Sequence, residues 1–145
     1  MTTTTAPKLS KPEMRALVER AEAAAAEAFK AAKPTPMIVG SPRDPVASIL
    51  GEDDGGLDPG QPIYTVPDGP CGFAWVNVRP GNSRLANYLR AQGKGHTDAY
   101  YGGLTVWGPA SGHSQSYERK LAAAEAYAAV LREAGFNAYA HGRLD

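Results

Sequence analysis

Residues 73–79 read FAWVNVR, and this stretch decides the fold because aromatic and β-branched residues are concentrated in it. Such a composition predicts a β-strand, which Pro80 and Gly81 end. Side chains alternate between the two faces of a strand. One face carries small aliphatic residues that suit packing under helices, namely Ala74, Val76 and Val78. The other face carries aromatic and polar residues, namely Phe73, Trp75, Asn77 and Arg79.

Five more elements are predicted after this strand. They are a helix between Asn82 or Ser83 and Gly93, strands over residues 97–101 and 104–107 joined at Gly102-Gly103, a helix from residue 114 or 115 to 134, and a strand over 137–143. The order βαββαβ predicts a ferredoxin-like α+β fold, an antiparallel four-stranded sheet with two helices on one face. If the second strand does not form, the unit becomes a smaller βαβαβ piece.

Three segments precede this unit. Residues 1–9 are predicted to be a disordered tail. Ser10 and Glu13 form a capping box that starts an amphipathic helix over residues 10–33, and its narrow alanine-rich stripe predicts close packing on another surface. Residues 34–61 read as an acidic arm rich in proline and glycine. We expect residues 62–145 to form a compact α+β domain that folds without residues 1–33, and a homodimer through residues 10–33 is a further expectation.

The alternation of the strands gathers a set of aromatic and basic residues on one sheet face. The set comprises Phe73, Trp75, Asn77, Arg79, Trp107, Tyr139, His141 and Arg143. If this face is open, bases can stack on the aromatic rings while the arginines meet phosphate. Alternatively, the N-terminal helix or the arm covers the face and the aromatic residues belong to the core, which is the interpretation we favour.

The charges of the chain cancel, with 15 basic and 15 acidic side chains. Proteins that hold duplex nucleic acid through phosphate contacts normally have a basic excess, so the balance argues against that class. The cancellation is uneven, however. Residues 40–70 carry one basic and six acidic side chains, whereas residues 71–145 carry eight and five. An acidic arm that pairs with the mildly basic domain would mask it.

Two further groups of residues carry candidate chemistry. His113, Ser114, Gln115 and Ser116 precede a helix, where free N–H groups could bind an anion, although a serine N-cap explains the same pattern. Cys71 with His113 or His141 could form a nucleophile pair. The three histidines lack ligand spacing, so we expect no metal and no cofactor.

The compartment is predicted from the single cysteine and the absence of long apolar runs. One cysteine cannot form an intramolecular disulfide, which favours a reducing, cytoplasmic location. Residues 1–7 lack the apolar core of a signal peptide, and no run approaches the roughly 18 apolar residues that span a bilayer. We therefore expect no membrane association.

Residues 66–83 resemble an uncharacterised conserved family of tailed phages, as do residues 101–103, 115–116 and 140–145. The alanine-rich composition of the chain is similar to that of mycobacteriophage proteins. The resemblance covers roughly residues 62–145. It implies a viral source, and it assigns no activity and no catalytic residue.

These observations support three functional hypotheses. The first is a small non-enzymatic phage accessory protein that binds a host or phage protein in the host cytoplasm. The second is binding of single-stranded nucleic acid or a nucleotide on the aromatic and basic sheet face. The third is an enzyme that uses Cys71, His113 and His141.

Overall fold

A computed structural model describes residues 6–110 and 114–145, and the predicted α+β class is confirmed. The helices within these residues are α1 (Lys11–Ala31), α2 (Pro45–Ile49), α3 (Arg84–Ala91) and α4 (Tyr117–Glu133). The strands are β1 (Met37–Val39), β2 (Tyr64–Val66), β3 (Gly72–Arg79), β4 (His96–Thr97), β5 (Leu104–Trp107) and β6 (Asn137–Leu144). None of the described helices has the length and apolar character needed to cross a membrane.

The larger sheet has four strands in the order β4-β5-β3-β6, and every pairing is antiparallel. The FAWVNVR strand is part of β3, at the centre of this sheet. It pairs along its whole length with β6, from Gly72 opposite Leu144 to Arg79 opposite Asn137. On its other side β3 pairs with β5, where Trp75 lies opposite Trp107.

The second strand of this sheet is shorter than predicted. β4 covers only His96–Thr97, and residues 98–103 form the loop to β5, although the strand was predicted to reach Tyr101. The Asp98 carboxylate accepts hydrogen bonds from the N–H groups of Tyr100 and Tyr101, at 2.9 and 2.8 Å, which turns the chain out of the strand. Gly102 and Gly103 have φ angles of 77° and 73°, which glycine adopts without strain. The two-residue hairpin turn predicted at these glycines is nevertheless wrong, because they end a loop that begins at Asp98.

The core lies between the aliphatic face of the sheet and the helices. Buried sheet residues such as Val76, Val78 and Leu104 pack with Leu85 and Leu89 of α3. The helix α4 contributes a stripe of buried residues, namely Ala123, Ala124, Tyr127, Ala128 and Leu131.

The first helix is part of this core. Ser10 and Glu13 form the predicted capping box, in which each side chain accepts a hydrogen bond from the other residue's N–H group. The apolar stripe of α1 is buried against α4 within the same chain, and it comprises Met14, Leu17, Val18, Ala21 and Ala25. Alanine at the last two positions permits close approach of the two helices. The apolar stripe that a homodimer through this helix would use is therefore already buried within one chain.

The predicted tail over residues 1–9 and the predicted arm over residues 34–61 contain more ordered structure than the sequence indicates. Residues 1–5 of the predicted tail lie outside the described residues, whereas Leu9 packs on the core. In the predicted arm, β1 pairs antiparallel with β2, which belongs to the predicted domain over residues 62–145, and the two strands form a separate two-stranded sheet. The helix α2 lies between them in the chain. Short elements of three and five residues carry too little periodicity for sequence to reveal them.

Candidate functional site

The face of the four-stranded sheet that points away from the helices carries a row of three rings. Because directly paired residues point to the same side of a sheet, Trp75 on β3 lies between Trp107 on β5 and His141 on β6. The Trp75 and Trp107 rings stack with their centroids 5.3 Å apart and their planes 10° apart. The His141 ring lies 6.1 Å from Trp75 on the opposite side. We call this side of the sheet the open face.

The interpretation that the N-terminal helix or the arm covers this face is wrong. Trp107 is 51% exposed and Tyr139 is 56% exposed, while Trp75 is half-buried by its neighbouring rings. The physical reason is that the apolar stripe of α1 is already buried against α4 and the aliphatic core, so it does not cover the open face. The one ion pair in the described residues that joins residues 40–70 to residues 71–145 is Asp68 to Arg119, near the start of α4. The acidic stretch over residues 40–70 therefore pairs with the mildly basic domain at Arg119 and not on the open face.

A pocket of about 290 Å³ lies on the open face beside Trp75. Aromatic and basic side chains dominate its lining, which comprises Trp75, Asn77, Arg79, Tyr101, His141, Gly142 and Arg143. Among the described residues, no carboxylate lines this pocket. The structure thus brings together five of the predicted residues of this face around one concavity, with Trp107 stacked at its side.

Asn77 and Arg79 join the pocket to the loop over residues 98–103. The buried Asn77 side chain donates a hydrogen bond to the Gly102 carbonyl at 2.9 Å. Its Oδ1 atom accepts a hydrogen bond from Arg79 Nε at 2.8 Å, and Arg79 also donates to the Tyr101 carbonyl. These bonds hold the Arg79 guanidinium and the loop in one geometry, so a ligand would meet a preorganised cation.

Tyr101 is a site residue that the strand prediction for residues 97–101 does not identify. It belongs to the loop fixed by Asp98, and its ring packs edge-on against that of Tyr100 at 4.7 Å. Both tyrosines are exposed. Hydrogen bonds, above all that from the Tyr101 N–H, hold the pKa of the Asp98 carboxyl below its ordinary value of 3.8. The adjacent pair of tyrosines before two glycines is the only sequence signal for this feature.

The two predicted residues of this face that neither line the pocket nor stack on Trp75 are Phe73 and Tyr139, and they lie at the margins of the row. The guanidinium of Arg143 lies 5.5 Å from the Phe73 ring, which it faces across the β3–β6 pair. Tyr139 contacts Arg132 of α4, whose guanidinium is 5.1 Å from the tyrosine ring, at the edge strand of the sheet. Tyr139 is therefore separate from the pocket, although it shares the open face by register.

The predicted anion site at the start of α4 is occupied by groups of the chain itself. Ser116 is the N-cap and accepts a hydrogen bond from the Arg119 N–H, while its hydroxyl donates to the Asp68 carbonyl at 2.7 Å. Ser114 accepts a hydrogen bond from the Ser116 N–H at 3.0 Å, and the Gln115 carbonyl accepts from the Gly72 N–H. The Asp68 side chain lies beside this helix start and pairs with Arg119 at 3.4 Å. His113 lies outside the described residues.

Cys71 and His141 do not meet in the structure. Cys71 is exposed, immediately precedes β3 and bridges to Ser116, whereas His141 pairs with Trp75 four residues further along. At about 3.3 Å per strand residue, the two positions are separated by roughly 13 Å. In the described ranges, no group of histidine, cysteine, aspartate and glutamate is arranged to hold a metal ion.

Comparisons with protein-family models, with curated proteins and with solved structures find no match to this chain.

Proposed function

We propose that the protein is a non-enzymatic binding protein whose open face takes single-stranded nucleic acid or a nucleotide. The observation that carries the proposal is the pocket lined by Trp75, His141 and Tyr101 together with Arg79 and Arg143. Planar bases stack on aromatic rings, and arginine pairs with phosphate oxygens, so this combination suits a ligand that is both flat and anionic.

The size and openness of the pocket favour one unstacked base over a larger ligand. Its volume of about 290 Å³ lies at the lower end of the range for small-molecule sites. A base held inside a duplex cannot present its flat side to a sheet surface, whereas a base in a single strand can. The zero net charge of the chain also disfavours strong duplex binding through phosphates alone.

We further infer a ferredoxin-like plan for the domain. The strand order β4-β5-β3-β6 supports it, because the first and third strands of the βαββαβ unit lie at the centre. The burial of α3 and α4 residues with the aliphatic sheet residues also supports it. In this plan one sheet face stays uncovered, which leaves a broad surface for a ligand.

The experiment that tests the proposal uses the intrinsic fluorescence of the protein. Both tryptophans of the chain, Trp75 and Trp107, lie on the open face, so their emission reports on this surface alone. Titration with an oligothymidine of about 15 nucleotides should quench the emission, and the same sequence in duplex form should quench it much less. Thymidine monophosphate, as a third ligand, distinguishes nucleotide binding from strand binding.

Arg143→Gln should weaken oligonucleotide binding and lower the salt dependence of the affinity by about 0.7 per lost phosphate contact. Arg20→Gln is the matched control, because Arg20 is an exposed arginine of α1, away from the open face. Absence of quenching by both the oligonucleotide and the monophosphate would overturn the proposal. Equal losses of affinity in the two variants would also count against it.

A further inference from the structure

A second surface lies in the segment between β1 and β2, on a different part of the chain from the open face. Of the twelve large apolar side chains that are exposed in the described residues, seven fall within residues 38–64. Three of the seven belong to α2 and its C-cap, at the helical spacing i, i+3 and i+4, namely Val46, Ile49 and Leu50. We call these three residues the α2 stripe.

The α2 stripe is held in place by a folded loop. Asp44 caps α2 by accepting a hydrogen bond from the Ala47 N–H at 3.1 Å, and Ala47 is buried on the opposite side of the helix. The chain then returns beside the helix, since the Glu52 N–H donates to the Ala47 carbonyl at 2.8 Å. The Asp44 N–H donates to the Asp54 carbonyl at 3.2 Å. The exposed stripe is thus presented on an ordered backbone.

Carboxylates flank α2 at both of its ends. Asp44 precedes the helix, Glu52, Asp53 and Asp54 follow it, and the backbone bonds between the two stretches bring both to the same helix. The three ion pairs found among residues 6–110 and 114–145 involve none of these carboxylates. Arg43 is the single basic residue of the region 40–70, and its Nε atom donates to the Leu57 carbonyl.

We propose that the α2 stripe and its carboxylates form a docking site for a basic amphipathic segment of a partner protein. When an apolar surface covers exposed apolar side chains, the free energy of the system falls, because apolar area is removed from water. Asp44, Asp53 and Asp54 accept backbone hydrogen bonds, but none has an ion-pair partner in the described residues. Their negative charge favours a partner that carries lysine and arginine beside its apolar residues. Two copies of this chain that met at this surface would place carboxylates against carboxylates, which disfavours self-association here.

A designed peptide tests this chemistry directly. The probe is a dye-labelled amphipathic helix of lysine and leucine, compared by fluorescence anisotropy with the same peptide carrying glutamate in place of lysine. The lysine peptide should bind the full chain, and the glutamate peptide should not. Ile49→Ser with Leu50→Ser leaves every charge intact and should weaken lysine-peptide binding at least about tenfold through loss of apolar contact.

Two further variants test whether the carboxylates contribute to peptide binding and whether loss of any exposed leucine weakens it. Asp53→Asn with Asp54→Asn keeps the apolar stripe and should weaken binding, with a reduced dependence on salt. Leu144→Ser removes an exposed leucine on β6 and should leave peptide binding unchanged. Circular dichroism should show the native spectrum for all variants, because the altered side chains are outside the buried core.

The proposal would be overturned if the lysine peptide did not bind, or if it bound the variant with Ile49→Ser and Leu50→Ser as tightly as the unaltered chain. Equal binding of the glutamate peptide would overturn the charge argument. Sedimentation of the free protein supplies the remaining outcome: an oligomer that dissociates on substitution of Ile49 and Leu50 would identify a second copy, not a basic partner, as the occupant.

Discussion

Truncation of Leu17 should destabilise the whole protein, because α1 belongs to the same core as the four-stranded sheet. Leu17 is 1% exposed and packs in the cluster that contains Val76 and Leu131. Leu→Ala substitutions at such positions cost 2–5 kcal/mol, and we expect a loss of about 3 kcal/mol in the free energy of unfolding. Leu50→Ala is the matched control, since Leu50 is 65% exposed and should cost about 0.5 kcal/mol or less.

Urea unfolding followed by tryptophan fluorescence is the decisive assay. Both tryptophans lie in the sheet, so a change made in α1 can move their transition only if the helix and the sheet unfold together. The expected shift in the thermal midpoint is about 10 °C for the Leu17 variant. An unchanged tryptophan transition, with loss of helix signal at lower urea, would show that α1 detaches independently and would refute the reasoning. It would also support the expectation that residues 62–145 fold without residues 1–33.

Three further predictions concern single polar groups. Asn77→Ala should cost about 2–3 kcal/mol in urea unfolding, because it leaves Arg79 Nε and the Gly102 carbonyl without their partner; a cost below about 0.5 kcal/mol would contradict this. Tyr127→Phe should stabilise the protein by about 1 kcal/mol, since the buried Tyr127 hydroxyl has no hydrogen-bond partner among the described residues; a clear loss of stability in urea would contradict the burial of an unpaired hydroxyl. The lowered folded-state pKa of Asp98 implies a stabilising contribution that is present above about pH 4 and lost as the pH falls through that lowered value. Unfolding measured from pH 5 to pH 2 should therefore show a weaker acid dependence in Asp98→Asn, and identical profiles would refute the assignment.

Short sequence patterns correctly predicted the elements that are stabilised by interactions between residues close together in the chain. The alternation in residues 73–79 identified the central strand and its two chemically different faces, because the period of two is a property of the extended backbone. The capping box of Ser10 and Glu13 identified the start of α1, since both hydrogen bonds join residues three apart.

Local signals were insufficient where a neighbouring element competes. The strand predicted to run to Tyr101 stops at Thr97, because the carboxylate of Asp98 binds the next two N–H groups that a strand would offer to its partner. The serines before α4 carry the pattern of an anion site, yet Asp68, almost fifty residues earlier, supplies the hydrogen-bond partner there. A residue so distant in sequence gives no signal in the motif itself.

The sequence by itself indicated which side chains share the open face, because alternation along each strand separates the aromatic and basic residues from the small aliphatic ones. Only the tertiary structure decided that this face is uncovered. The stripe of α1 could have packed on the aromatic residues or on the helices, and both choices bury apolar area. Its small residues, Ala21 and Ala25, pack against the alanine-rich side of α4, where two backbones can approach closely. Trp107 and Tyr101 therefore remain exposed, and the candidate binding site exists because α1 is satisfied elsewhere.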